Sequence, residues 1–157
     1  MRAMPSFVVE PTSIDVEGVV DLLDLAVGGT DAERLGRVRA RYLAGPAELA
    51  AVFLEGSVVG VVGYLGHPGG RDMPRRVELL HIATARCRQR TGIGTAMIRW
   101  VQARYPGDPI EAQTDRDGVG FYRSVGFAIE SLGELYPGVE RFRVVLEPST
   151  ESDTARP

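Results

Sequence analysis

Residues 75–104 read RRVELLHIATARCRQRTGIGTAMIRWVQAR, and the order of side chains in this stretch decides the fold. RRVELLHIATA (75–85) is a β-rich run, and the alternation of a pleated strand puts 78, 80, 82 and 84 on one face and 77, 79, 81 and 83 on the other. From residue 92 to about 104 the period changes. Ile93, Ala96, Met97, Trp100 and Val101 recur three and four apart, which predicts an amphipathic helix. Between them lie Arg86, Arg88 and Arg90 and the glycines Gly92 and Gly94. The first N–H groups of a helix have no internal partner, and the helix dipole places about half a positive charge there. Glycine lets an anion reach that backbone without meeting a Cβ, so strand, basic loop and helix predict an anion-binding mouth. The same glycines would also serve tight packing of helix on sheet, with the arginines as a solvated turn.

Outward from this unit, strands and helices mix. SFVVEP (6–11) reads as a short strand ended by proline. Ser13 and Asp15 are N-cap candidates for a helix to about residue 27, stopped by Gly28-Gly29. DAERLGRVRARYLAG (31–45) is a charged helix with Leu35, Val38 and Tyr42 on one side. ELAAVFLEG (48–56) and SVVGVVGYLG (57–66) form a hairpin turning at Glu55-Gly56, and HPGGRDMP (67–74) reads as a loop. PIEAQT (109–114) is a strand. DGVGFYRSVG (117–126) is a short helix with Asp117 as N-cap and Gly126 as its stop. FAIESLGE (127–134) and ERFRVVLEP (140–148) are strands joined by LYPGV. This order predicts a mixed sheet with helices on both faces. Residues 1–149 read as a single domain and 150–157 as a disordered tail.

Composition narrows the classes. A chain of 157 residues with 44% hydrophobic and 25% charged side chains is an ordinary globular domain. A net charge of −3 argues against bulk nucleic-acid binding. The single cysteine, Cys87, excludes an intrachain disulfide and fits a reducing cytoplasm. MRAMPSFVVE has no apolar signal region, and the longest apolar run, VVGVVGYLG (58–66), is short of the ~20 residues that span a membrane. A cytoplasmic protein without membrane or nucleic-acid partners is expected. No CxxC, HExxH or carboxylate cluster points to a metal.

Two phosphate-binding rivals can be set against the spacing: the first is missing its motif, and the second fits less well but stays open to a test with NAD. A Walker A loop needs GK[ST] after its second glycine, and none follows. A Rossmann fingerprint needs glycine at Met97 and glycines directly after the strand, where ARCRQR intervenes. Glu111 lies at a tolerable distance for a ribose contact, but no further βαβ unit follows.

With these elements placed, the sequence resembles the GNAT N-acetyltransferases. Their acetyl-CoA loop, Q/R-x-x-G-x-G/A, is matched by Gln89, Gly92 and Gly94 in QRTGIG, after IAT (82–84) in the preceding strand. A second block, A-x-x-F/L-Y-x-x-x-G-F, is matched by GVGFYRSVGF (118–127), with Gly118 where alanine is usual. The resemblance implies a mixed, mostly antiparallel sheet flanked by helices on both faces. Its central parallel strands, about 76–84 and 109–114, would splay to admit acetyl-CoA. It implies that the pyrophosphate is held by backbone N–H groups of Gln89, Arg90, Thr91, Gly92, Ile93, Gly94 and Thr95. The pantetheine arm would pair with the backbone of Ile82, Ala83 and Thr84. Asp115 stands where the family often has an asparagine that touches CoA, and an aspartate lacks the amide donor. Dimers are common among such proteins.

Acetyl transfer to an amine needs a base for the ammonium, whose pKa is near 10, and a proton donor for the leaving thiolate. Tyr122 falls on the tyrosine of the family block that gives this proton, and it also shares an apolar stripe with Val119 and Val125. Glu78 is the candidate base, against a plain salt bridge to Arg75 or Arg76. His81 titrates in a suitable range, but strand parity sets it opposite Glu78. Glu111 is a candidate grip for a cationic acceptor. Direct attack needs no covalent cysteine, so Cys87 reads as a bystander. The expected enzyme is an acetyl-CoA-dependent N-acetyltransferase acting on a primary amine. The alternative is an acyl-CoA-binding or sensor domain without catalysis.

Overall fold

The computed structural model describes residues 7–27 and 32–148. The expected Gly28-Gly29 stop and the tail at 150–157 lie outside the described residues. Among the described residues, seven strands, β1 (Val8–Thr12), β2 (Glu48–Leu54), β3 (Ser57–His67), β4 (Arg76–Thr84), β5 (Ile110–Asp115), β6 (Ala128–Tyr136) and β7 (Val139–Leu146), form one sheet in the order β1-β2-β3-β4-β5-β7-β6, with four α-helices. The neighbours are antiparallel in β1–β2, β2–β3, β5–β7 and β6–β7, while β4 and β5 run parallel. The chain divides into two compact units. One holds the described residues up to Leu65 with Leu79–Val101; the other holds Gly66–Glu78 with the described residues from Gln102 onward.

In the first unit, β1 (Val8–Thr12) is an edge strand pairing with β2 (Glu48–Leu54). It runs through Pro11 instead of ending there, because an edge strand can lose an N–H without breaking an inner ladder. α1 (Val19–Ala26) starts later than Ser13 or Asp15 would place it. Gly18 precedes it at φ +95°, a left-handed conformation that ends the turns before it, and no side chain caps the helix. α2 (Ala32–Ala44) follows the expected span closely. The β2–β3 hairpin turns at Glu55 and Gly56, both at positive φ, which suits the twist of a two-residue loop.

β3 (Ser57–His67) alternates between two helical layers. Val61 joins Leu49 and the α1 residues Val19, Leu22 and Leu23 in one buried cluster, and Leu35, Val38 and Tyr42 of α2 pack against it. The neighbouring Gly60 faces α3 (Ile93–Arg104), where an added Cβ would come within 2.8 Å of Ile93 Cγ2. Tyr64, fully buried, meets the Trp100 ring edge-on at 6.0 Å. Helices therefore cover both faces of this part of the sheet, as the sequence predicts.

The second unit is built on β5 (Ile110–Asp115), β6 (Ala128–Tyr136) and β7 (Val139–Leu146). Ile110 pairs with Leu146 and Ala112 with Val144, so these buried side chains share one face. α4 (Val119–Val125) contacts β6 and β7, and its Val119, Tyr122 and Val125 are buried. It stops at Gly126, φ +115°, with Phe127 N–H bonded to Tyr122 O and Gly126 N–H to Arg123 O. Asp117 does not cap it. No side chain does; Asp115 closes the turn ahead of the helix, its Oδ1 accepting from the N–H groups of Asp117 (3.0 Å) and Gly118 (3.1 Å). The departure at Gly118 has a steric cause: a Cβ there would overlap the Thr114 hydroxyl. β6 extends to Tyr136, leaving only Pro137-Gly138 as the turn.

Candidate functional site

The first unit carries the predicted anion mouth. β4 (Arg76–Thr84) ends at Thr84, and Ala85 N–H is anchored to Val59 O at 2.8 Å. Arg86–Arg88 wind into one 3₁₀ turn, closed by Arg88 N–H to Ala85 O at 2.8 Å. Gln89 then reaches back, its Nε2 donating to Thr84 O at 3.2 Å, and the Thr91 hydroxyl donates to Arg88 O. The loop is thus held by its own side chains. Arg90 at φ +66° and Gly92 at φ +88° turn the chain into α3. The first helical bond is Ala96 N–H to Gly92 O, 3.0 Å, so helix geometry leaves the N–H groups of Ile93, Gly94 and Thr95 ahead of it. No acidic side chain stands in this first turn, and no atom lies within 4 Å of where a Cβ on Gly92 would sit. Positive field, free backbone donors and open space coincide at one loop, which fits a phosphate. Ile93 is buried and pins the helix start to Gly60. On β4, the Ala83 side chain packs against the α1 cluster.

The second unit brings the carboxylates together. The parallel ladder sets Glu78 beside Glu111, so both side chains rise from one face on adjacent strands. Arg143 Nη2 sits 3.2 Å from Glu111 Oε2, and its Nη1 lies 3.6 Å from Glu130 Oε1. Glu78 is not bridged to Arg75, whose partner is Asp108 at 3.3 Å. Its partner is His67, with Nε2 3.1 Å from Glu78 Oε1. Sequence reading misses His67 by placing it in a loop. The signal was there: a residue before proline is held extended, and His67 precedes Pro68.

Tyr122, on α4 of the same unit, is 7% exposed. Its ring meets Phe121 and Phe127 edge-on at 5.2 and 5.1 Å. Burial disfavours the phenolate and pushes its pKa up to about 12, so the phenol is a proton donor at neutral pH.

His81, in the first unit, has a different partner. Its Nδ1 and the Tyr42 hydroxyl share a hydrogen bond of 2.6 Å between β4 and α2. Burial first, then the charges of Arg41 and Arg34, hold the imidazole below its usual range. Burial likewise raises the Tyr42 phenol. The pair is a neutral clasp between helix and strand. Cys87 is exposed in the 3₁₀ turn. Among the described residues, no three His, Cys, Asp or Glu side chains group as a metal site, and no helix is long and apolar enough to cross a membrane.

The model of the acetyltransferase (GNAT) family matches residues 19–127, well over half of the chain. Among solved structures, an IAA acetyltransferase from Bacillus cereus is 21% identical, with a TM-score of 0.68 over 90% of this chain and 99% of its own. An acetyltransferase from Bacillus subtilis in complex with CoA is 20% identical, with a TM-score of 0.66 over 92% of this chain and 100% of its own. A GNAT family acetyltransferase from Elizabethkingia anophelis with acetyl-CoA bound is 20% identical, with a TM-score of 0.64 over 90% of this chain and 97% of its own. At such identities the likeness is one of fold. No curated protein matches the sequence.

Proposed function

Because the chain belongs to the GNAT acetyltransferase family, we propose that it moves an acetyl group from acetyl-CoA to a primary amine by direct attack, without an acetyl-enzyme. The observation that carries this is the Gln89–Thr95 loop. It opens α3 with unpartnered helical N–H groups, a left-handed glycine and no acid in the first turn. Amides from Gln89 to Thr95 hold the pyrophosphate, with Arg86, Arg88 and Arg90 supplying attraction, and the backbone of Ile82, Ala83 and Thr84 takes the pantetheine arm. We take residues 1–149 as one acetyltransferase domain, since the family match runs through residues of both units. The single cysteine fits a reducing compartment, and we place the reaction in the cytoplasm.

The thioester supplies an activated acyl group, and the chain supplies the proton transfers. Glu78 accepts a proton from the acceptor's ammonium, freeing the lone pair that attacks the carbonyl. Tyr122 gives its phenolic proton to the departing thiolate, a role supported by a burial that keeps it protonated. Glu111, beside Glu78 on the parallel ladder, adds negative field that favours a cationic acceptor. Asp115 has Oδ1 engaged by two N–H groups, so we assign it to the start of α4 and not to CoA.

The test is thiol release from acetyl-CoA with spermidine, L-lysine, kanamycin and a lysine-containing peptide. Release with at least one amine, lowered roughly 10²-fold or more by Glu78→Gln, is expected from the usual worth of a general base. No release above background with any amine, while acetyl-CoA still binds, would leave a binding or sensor domain instead.

A further inference from the structure

We infer that His67 is the positioning residue for Glu78: its Nε2–H fixes one carboxylate oxygen so that the other is presented to the acceptor's ammonium. This rests on the reading of Glu78 as the base. The terminal torsion of a glutamate is broad and two-fold, so an unrestrained carboxylate spreads over many orientations. A general base must meet its proton within about 2.6–3.2 Å. The His67 contact, Nε2 to Oε1 at 3.1 Å, removes that freedom and leaves Oε2 as the open acceptor. The proton leaves the ammonium for Oε2, giving a neutral carboxylic acid and the free amine.

His67 is well placed to hold another group still. It is the last residue of β3, and Pro68 restricts it to extended backbone. Gly66 beside it packs so closely on Tyr105 that an added Cβ would lie 2.8 Å from Tyr105 Cε1. The imidazole therefore projects from a strand end that is fixed on both sides.

The surrounding charges make such a donor necessary. Glu78 and Glu111 are lateral neighbours on one face, and like charges side by side repel. Arg143 engages Glu111 and also Glu130, while Glu78 has only His67 among the contacts described for it. Without His67, repulsion from Glu111 would turn Glu78 away. Folding stability does not account for the pair. Its side chains are 28% and 44% exposed, and even a charged pair at such exposure contributes little to stability.

The experiment uses the full chain and the best acceptor among spermidine, L-lysine, kanamycin and the lysine-containing peptide. His67→Leu keeps volume and removes the donor. His67→Gln returns an N–H donor at a similar reach. We expect His67→Leu to lower kcat about tenfold, with acetyl-CoA Kd within twofold, and His67→Gln to recover activity to within threefold of wild type. In a Glu78→Gln background, His67→Leu should cause no further loss, because the histidine acts through the carboxylate. Equal activity of the Leu and Gln variants, or the same tenfold loss without Glu78, would overturn the inference and leave the base intact. If Glu78→Gln alone leaves kcat unchanged, the base reading fails, a result distinct from both. Should His67→Leu not fold, His67→Asn, whose donor falls short of Oε1, takes its place with the same expectations.

Discussion

Tyr122 shows how burial alone can prepare a side chain for one role. No charged group lies among the causes of its shift; desolvation in an aromatic nest keeps the proton on. Tyr122→Phe preserves the ring contacts and removes only the hydroxyl. Turnover should fall roughly 10²-fold or more, the usual worth of acid catalysis, with acetyl-CoA affinity unchanged by isothermal titration. Unchanged turnover would end the acid assignment. The same shift has a stability consequence. Below pH 10 the phenol is protonated in both states and its contribution is fully present. Between pH 10 and about 12 the unfolded chain releases a proton that the folded chain keeps, so stability falls as pH rises. At about 1.4 kcal/mol per pH unit, the loss is on the order of 2–3 kcal/mol. Urea midpoints from pH 9 to 12 should decline more steeply in wild type than in Tyr122→Phe. At this scale the sequence was partly readable. Tyr122, Gln89 and Gly92 stand in local patterns that carry their own meaning. His67 does not, because its partner lies eleven residues away, across a strand pairing that no local pattern encodes.

α2 is an element without a buried residue of its own. It is held by Leu35, Val38 and Tyr42 against the α1 cluster and by the clasp of Tyr42 to His81. Gly63 makes the clasp possible, since a Cβ there would overlap the Tyr42 hydroxyl. Gly63→Ala should therefore push α2 off β3 and β4 and cost about 1–3 kcal/mol, as overpacking does, read as a lower urea midpoint. The clasp also has a pH limit. The folded pKa of His81 is depressed, so its contribution is complete above the unfolded value near 6.5 and is lost as pH falls below that toward the folded pKa. His81→Gln should flatten the acid limb of stability relative to wild type; an identical limb would show that the clasp does not titrate. Elements themselves were legible where period and punctuation agreed, as in α3, α2 and the Glu55-Gly56 hairpin. They slipped where punctuation competed. Gly18 at φ +95° delayed α1 past two good cap residues, and Asp117 caps nothing because Asp115, two residues earlier, closes the turn onto its N–H ahead of α4.

At the scale of the whole chain, Arg86, Arg88 and Arg90 stand together in one loop, and Glu78 and Glu111 stand side by side on the β4–β5 ladder. Such sorting suits a reaction that joins an anionic nucleotide thioester to a cationic amine, because each partner meets opposite charge. The mixed sheet with helices on both faces was readable from element order, while the pairing that sets Glu78 beside Glu111 required the folded chain, since register across a parallel crossover leaves no local trace. The reading of the loop has a thermodynamic signature that needs no acceptor. A ligand that binds only the folded chain stabilises it by about 2.7 kcal/mol at a hundred times its Kd. For a domain of this size each kcal/mol moves Tm by roughly 2–4 °C, so acetyl-CoA should raise Tm by about 5–11 °C. NAD at the same concentration should not. Gly92→Ala forces a side chain into φ +88° at the mouth of α3, at a strain on the order of 1–3 kcal/mol. Its Tm should start lower and respond less to acetyl-CoA, because the amides of the loop lose their alignment. Equal shifts with NAD and acetyl-CoA, or a full acetyl-CoA shift in Gly92→Ala, would place the nucleotide somewhere other than the Gln89–Thr95 loop.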